Sequence, residues 1–190
     1  MKNKNICVYC NNIANTKEHV PPKCFLDKPF PFNLKTVPAC GDCNKSYSKD
    51  EEYIMYLADY LFSVEYANGD FTRKRVESTF NHSDKLENRM INSLKVDNNG
   101  EIYFDIESER VTLIIEKISI GLLFLHYNDK KIVSKSNFIC IPMLSQQQKW
   151  EYENINWIAI QKNRFKYFVS EALIYFVIGE ILLCVSSYSE

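Results

Sequence analysis

Cys7-Val8-Tyr9-Cys10 and Cys40-Gly41-Asp42-Cys43-Asn44 decide how the rest of this chain is read. Between them stand Glu18-His19-Val20-Pro21-Pro22-Lys23 and an isolated Asn33. A C-x-x-C spacing lets two thiolates point at one ion, and two such pairs supply the four ligands of a tetrahedral zinc. The gap from Cys10 to Cys40 is longer than that of an ordinary zinc ribbon, so something is inserted between the knuckles. Four unrelated buried cysteines are the competing account, and the coincidence of two C-x-x-C pairs argues against it. Cys24, Cys140 and Cys184 have no partner at this spacing and read as small core hydrophobes.

The insert carries chemistry of its own. The two prolines after Val20 favour extended backbone and oppose helix. A histidine held in such a segment beside a carboxylate suits a general base, because proton abstraction from water needs a near-neutral pKa and a fixed orientation. Taken alone, Glu-His-Val-Pro is more often an ordinary surface strand. The D-K-P-F-P-F run at 27–32 is a proline-punctuated loop. A β-hairpin is therefore expected, with one arm near His19–Val20 and the other near Thr36–Val37. A short helix should start at about Asp42, with Asn44 in its first turn beside Cys43.

These residues, in this order, resemble the HNH endonucleases, the ββα-metal or His-Me finger group. The resemblance covers roughly the first quarter of the chain and rests on Cys7/Cys10, Glu18-His19, Asn33 and Cys40/Cys43-Asn44. Glu18 stands where aspartate is commoner in that family, and Asn44 where histidine is commoner. The resemblance implies a structural zinc on the four cysteines. It also implies that His19 deprotonates the attacking water and that Asn33 braces the loop orienting the imidazole. Glu18 and Asn44 would hold one catalytic Mg²⁺ or Mn²⁺, oxygen ligands suiting a hard cation. The expected activity is metal-dependent hydrolysis of phosphodiester bonds in DNA, with RNA not excluded. Lys23 and Lys45 are candidate phosphate contacts, although each alone reads as a solvated lysine. Two alternatives stand beside this: a zinc-stapled nucleic-acid-binding module, and a nuclease subunit active only in a larger assembly, for example with an ATPase partner in phage defence.

Composition bounds the rest. With 190 residues, 46% hydrophobic and 25% charged, the chain can bury a real core and is not mainly disordered. The net charge of −1 hides a lean, with +4 over residues 1–50 and −5 over the remainder. Four zinc-bound thiolates would reduce the first figure to about +2, a mild attraction for an anionic partner. The apolar tracts Val111–Tyr127 and Ala172–Val185 are too short and interrupted for a membrane span, and no signal-peptide pattern opens the chain. A soluble cytoplasmic protein is expected, where seven cysteines favour metal over disulfides.

The expected fold class is α+β: a zinc-stapled ββα-metal finger over 1–50, then an accessory region over 51–190 with helices first and antiparallel strands last. Ser48 and Glu51 fit a capping box opening a helix to about Tyr66, which Asn68-Gly69-Asp70 stops. Helical pattern continues over Thr72–Phe80 and Asp84–Leu94. Arg73-Lys74-Arg75 is the most basic run here, read as a solvated helix face ahead of a nucleic-acid contact. Lys95–Val96 and Ile102–Ile106 flank a hairpin signal. Val111, Ile114, Ile118, Leu122 and Leu125 mark an amphipathic helix at the centre of the core, with His126 as its C-terminal cap. A short strand at Phe138–Ile141 and a polar helix at Ser145–Tyr152 follow. Strands are expected at Trp157–Gln161, Phe165–Val169, Leu173–Ile178 and Ile181–Val185, the last two joined by a type II′ turn at Gly179-Glu180.

Overall fold

The computed structural model describes residues 6–81, 88, 92–96, 98 and 102–189. The chain is α+β. Strands β1 (Thr16–Val20) and β2 (Lys35–Ala39) form the N-terminal antiparallel hairpin, with Glu18 opposite Val37 and His19 opposite Thr36. Helix α1 (Gly41–Ser46) follows at once. Helix α2 (Ser48–Tyr66) then runs through the core and stops where Asn68 and Gly69 take positive φ of 50° and 90°. Next come α3 (Lys74–Asn81), the small hairpin of β3 (Leu94–Val96) and β4 (Ile102–Phe104), and the long helix α4 (Ser108–Tyr127).

The remainder is a five-stranded antiparallel sheet: β5 (Ile132–Cys140), β6 (Ile158–Gln161), β7 (Phe165–Val169), β8 (Leu173–Ile178) and β9 (Leu182–Ser189), with helix α5 (Gln146–Glu153) between β5 and β6. The spatial order β5-β9-β8-β7-β6 sets the final strand beside β5. Alternation along β9 buries Leu182, Cys184, Ser186 and Tyr188 on one face. On that side Ser119 of α4 donates a 2.8 Å hydrogen bond to Ser186. Helix α4 thus covers that face of the sheet.

One core spans the chain. Val8, Val20, Phe25 and Val37 from the N-terminal segment pack in the same cluster as Ile54 and Leu57 of α2, Ile114, Ile118 and Leu122 of α4, and Phe176 and Leu182 of the sheet. Helix α4 passes close to β1 at Gly121. A methyl group there would meet Val20 Cγ2 at 2.8 Å and the Tyr9 hydroxyl at 3.2 Å. Only a residue without a side chain lets α4 lie this near β1. Gly121→Val is expected to destabilise the protein by about 1–3 kcal/mol through overpacking. Thermal unfolding checks it, and an unchanged midpoint would contradict the close contact.

An ion ring clips the loop after β1 to the rest. Asp27 accepts from Arg73 at 2.9 Å and from Arg164 at 2.5 Å, and Asp59 of α2 accepts from the same two guanidiniums at 3.2 and 3.3 Å. Arg73 also donates to the Cys24 and Leu26 carbonyls. The basic run is thus not a solvated face at its first member, because Arg73 is consumed inside the fold. Asp59→Ala would strip both guanidiniums of a buried partner, at a cost of about 3–5 kcal/mol. A fall of about 2–4 °C in Tm per kcal/mol is the corresponding readout.

Four local expectations need correction. Ser48 and Glu51 do not form a capping box: Ser48 Oγ donates to the Lys45 carbonyl, and Glu51 turns into the core to meet Lys117. The cap of α4 is Asn128 in the left-handed region (φ 53°), while His126 packs edge-on against Tyr127. Gly179 and Glu180 both have positive φ, 63° and 58°, which makes the turn type I′ and not II′. Leu94, expected in a helix, opens strand β3. The rest of the Asp84–Leu94 expectation, and the tip of the 97–100 turn, lie mostly outside the described residues.

Candidate metal centre and active site

The four expected zinc ligands converge. The Sγ atoms of Cys7, Cys10, Cys40 and Cys43 all lie within 4.8 Å of one another. A tetrahedral ion with about 2.3 Å metal–sulfur bonds needs sulfurs at just such mutual range. Cys7 and Cys40 are buried, and Ala39 packs beside them. Burial raises the Cys7 thiol, but the backbone amides of Cys40, Tyr9 and Cys10 and the Cys10 side chain outweigh it and bring the group to about 7. A thiol so poised gives up its proton readily to a metal. The donor set and spacing fit a structural ion such as zinc.

The same knuckle builds the helix. Cys40 is the N-cap of α1, its sulfur accepting from the Cys43 N–H at 3.4 Å and its carbonyl from the Asn44 N–H at 3.0 Å. Asn15 Oδ1 accepts from the Gly41 N–H at 2.8 Å. Asn44 is thereby turned onto β1, where its Nδ2 donates to Thr16 Oγ1 at 3.1 Å and to the Lys17 carbonyl at 3.3 Å. With its amide hydrogens committed to the strand, Oδ1 is the atom left for a further partner.

Strand alternation separates Glu18 from His19. Glu18 shares the buried face of β1 with Val20, and His19 lies half-buried on the other face. Partial burial lowers the His19 pKa, and the charge of Lys23 lowers it further. Lys23 is therefore close enough to His19 for their charges to interact, and its ammonium lies 5.3 Å from the Phe30 ring centroid. Asn33 is exposed in the turn before β2, and no hydrogen bond joins it to His19 among the described residues. Lys45 is exposed in the last turn of α1.

Glu18 has a neighbourhood that the sequence did not announce. Its side chain is 8% exposed, and Lys117 of α4, 2% exposed, reaches its Oε1 at 3.5 Å. The same ammonium makes a closer contact with Glu51 of α2. The rings of Tyr47 and Tyr9 flank it at 4.9 and 5.7 Å. Burial raises the Glu18 carboxyl above the ordinary range despite the opposing charge of Lys117. Glu18 Oε2 is buried with no hydrogen-bond partner. Lys117 carried one signal in the sequence, a charge beside Ile114 and Ile118 on an apolar helical stripe, which demands a buried counter-charge.

Among the described residues no hydrogen bond occupies Glu18 Oε2 or Asn44 Oδ1. Thr16, which Asn44 contacts, and Glu18 are two residues apart on one face of the strand. Each of these two atoms, Glu18 Oε2 and Asn44 Oδ1, is an oxygen of the kind a hard divalent cation takes. No helix among the described residues is long and apolar enough to cross a membrane. No family model, curated protein or solved structure matches the chain.

Proposed function

We propose that the protein is a metal-dependent endonuclease of the HNH type, hydrolysing phosphodiester bonds in DNA. The observation that carries the reading is the capped turn of α1, in which the four-cysteine knuckle presses Asn44 against the strand bearing Glu18 and His19. In this reading His19 takes the proton of the attacking water, its depressed pKa keeping the imidazole neutral at physiological pH. Glu18 and Asn44 would hold one Mg²⁺ or Mn²⁺, which when bound supplies positive charge beside the leaving oxygen. Lys23, within electrostatic range of His19, would contact a substrate phosphate, and Lys45 on the exposed face of α1 would contact another. Asn33 would brace the loop before β2.

The test is cleavage of plasmid DNA and of RNA in parallel, with Mg²⁺, Mn²⁺ or chelator. Cutting that requires the divalent ion supports the reading; a chain inert with every divalent ion rejects it.

One observation favours a second reading. Glu18 is already engaged by a buried ammonium, as it would be in a zinc-stapled binding module whose acidic position has become structural. Tight nucleic-acid binding with no cleavage in any metal would select that account. Activity that appears only on adding a second protein, such as an ATPase, would instead mark a nuclease subunit.

A further inference from the structure

The Glu18 neighbourhood is built unevenly. One ammonium serves two carboxylates, so the cluster of Glu18, Glu51 and Lys117 carries one more negative charge than positive. The ammonium sits closer to Glu51 than to Glu18. It touches Glu18 only through Oε1, while Oε2 is buried and unpartnered. Burying a carboxylate oxygen without any partner is costly. Glu18 is the only residue among the described ones with a buried side-chain oxygen or nitrogen left in this state. Two tyrosine rings keep the ammonium from swinging away, since Tyr9 and Tyr47 flank it.

We propose that Glu51 and Lys117 are positioning residues for Glu18. Glu51 draws the ammonium to itself, so that Lys117 steadies Glu18 by one oxygen and leaves the other for a divalent cation. This rests on the cation role given to Glu18 above. It means that the metal-holding strand is set by two helices outside the zinc knuckle, α2 and α4, and that residues 51 and 117 belong to the site. Lys117 is a potential competitor for Glu18, and Glu51 is what restrains it. With Glu51 neutral, Glu18 becomes the only carboxylate partner of Lys117 among the described residues, and a divalent ion must then displace a buried ammonium to bind.

The experiment measures Mn²⁺ binding to the full-length, zinc-loaded protein, with thermal unfolding of each variant in parallel. Glu51→Gln is expected to weaken Mn²⁺ binding by about 10–100-fold, the usual cost of removing a group that orients a metal ligand. In the Lys117→Met background the same substitution should change affinity less than about threefold, because no competing ammonium remains. A purely structural role for the trio would lower Tm in Glu51→Gln and leave its affinity unaltered. That outcome, or an equal loss in both backgrounds, overturns the proposal. If Glu51→Gln does not fold, Glu51→Asp, which keeps the charge but shortens its reach, should weaken binding measurably, and an unchanged affinity there overturns it as well. A wild-type protein that binds no Mn²⁺, or binds it as well after Glu18→Gln, removes the cation role itself and this inference with it. Wild-type binding that needs Glu18 but ignores Glu51 removes the inference alone.

Discussion

Cys43→Ala is expected to abolish zinc binding and to unfold the N-terminal segment from its docking on α4. Metal analysis of the wild type should give about one zinc per chain, and structural zinc is worth about 10–16 kcal/mol in small zinc-dependent peptides. Here the finger also shares its core with α2 and α4 through Val8, Val20 and Val37. The loss should therefore appear as a lower Tm of the whole protein and not only as local fraying. Cys40 matters twice, because its sulfur also accepts from the Cys43 N–H at the start of α1. Losing the ion also releases Asn44 from β1. A zinc-free preparation that unfolds at the same temperature as the loaded protein would remove the staple.

His19→Ala is expected to lower the cleavage rate by about 10²–10⁴-fold, the usual contribution of a positioned base, while leaving zinc content and Tm near wild type because the ring is only half-buried. The sign of the pH dependence follows from its surroundings. Partial burial and then Lys23 lower the His19 pKa, so the neutral, competent imidazole persists below the ordinary histidine value of about 6.5. The acid limb of the rate profile should lie below that value. Lys23→Ala should move it upward and raise KM for the nucleic acid. An acid limb that Lys23→Ala leaves in place would separate Lys23 from His19.

Much of this architecture was written locally. The N-terminal hairpin, the start of α1, the stop at Asn68-Gly69 and two of the four C-terminal strand starts, with the other two one residue off, follow from turn chemistry and periodicity, which act over a few residues. The cysteine ligands were legible for the same reason, since their spacing encodes the geometry. What escaped was long-range. Glu51 looked like a capping residue because a box needs only Ser48 three positions earlier, yet a buried lysine from α4 claims it. Arg73 looked solvated because its partners, Asp27, Asp59 and the loop carbonyls at Cys24 and Leu26, come from other elements. Asn128 took the cap of α4 from His126 by adopting left-handed backbone, which asparagine tolerates and a charge argument cannot foresee. For Glu51 and Arg73 tertiary contact overrode a sound local rule, and at Asn128 one local rule overrode another.

The position of β9 in the sheet has a consequence in time. Strand β5 has β9 as its neighbour, pairing Cys140 with Leu182 and Ile132 with Ser189, while β6, β7 and β8 are joined by short turns. During synthesis β5 emerges with no strand to pair with and waits until the residues after 182 are made. The zinc knuckle needs nothing beyond Cys43. The expected order of assembly is therefore metal capture first, the β6–β8 meander next and closure of the sheet last, because distant pairings bear the largest loop-closure entropy. Pulsed hydrogen exchange during refolding would show it: amides of β1 and β2 protected early and those of β5 protected together with β9. Early protection of β5 without β9 would reverse the order.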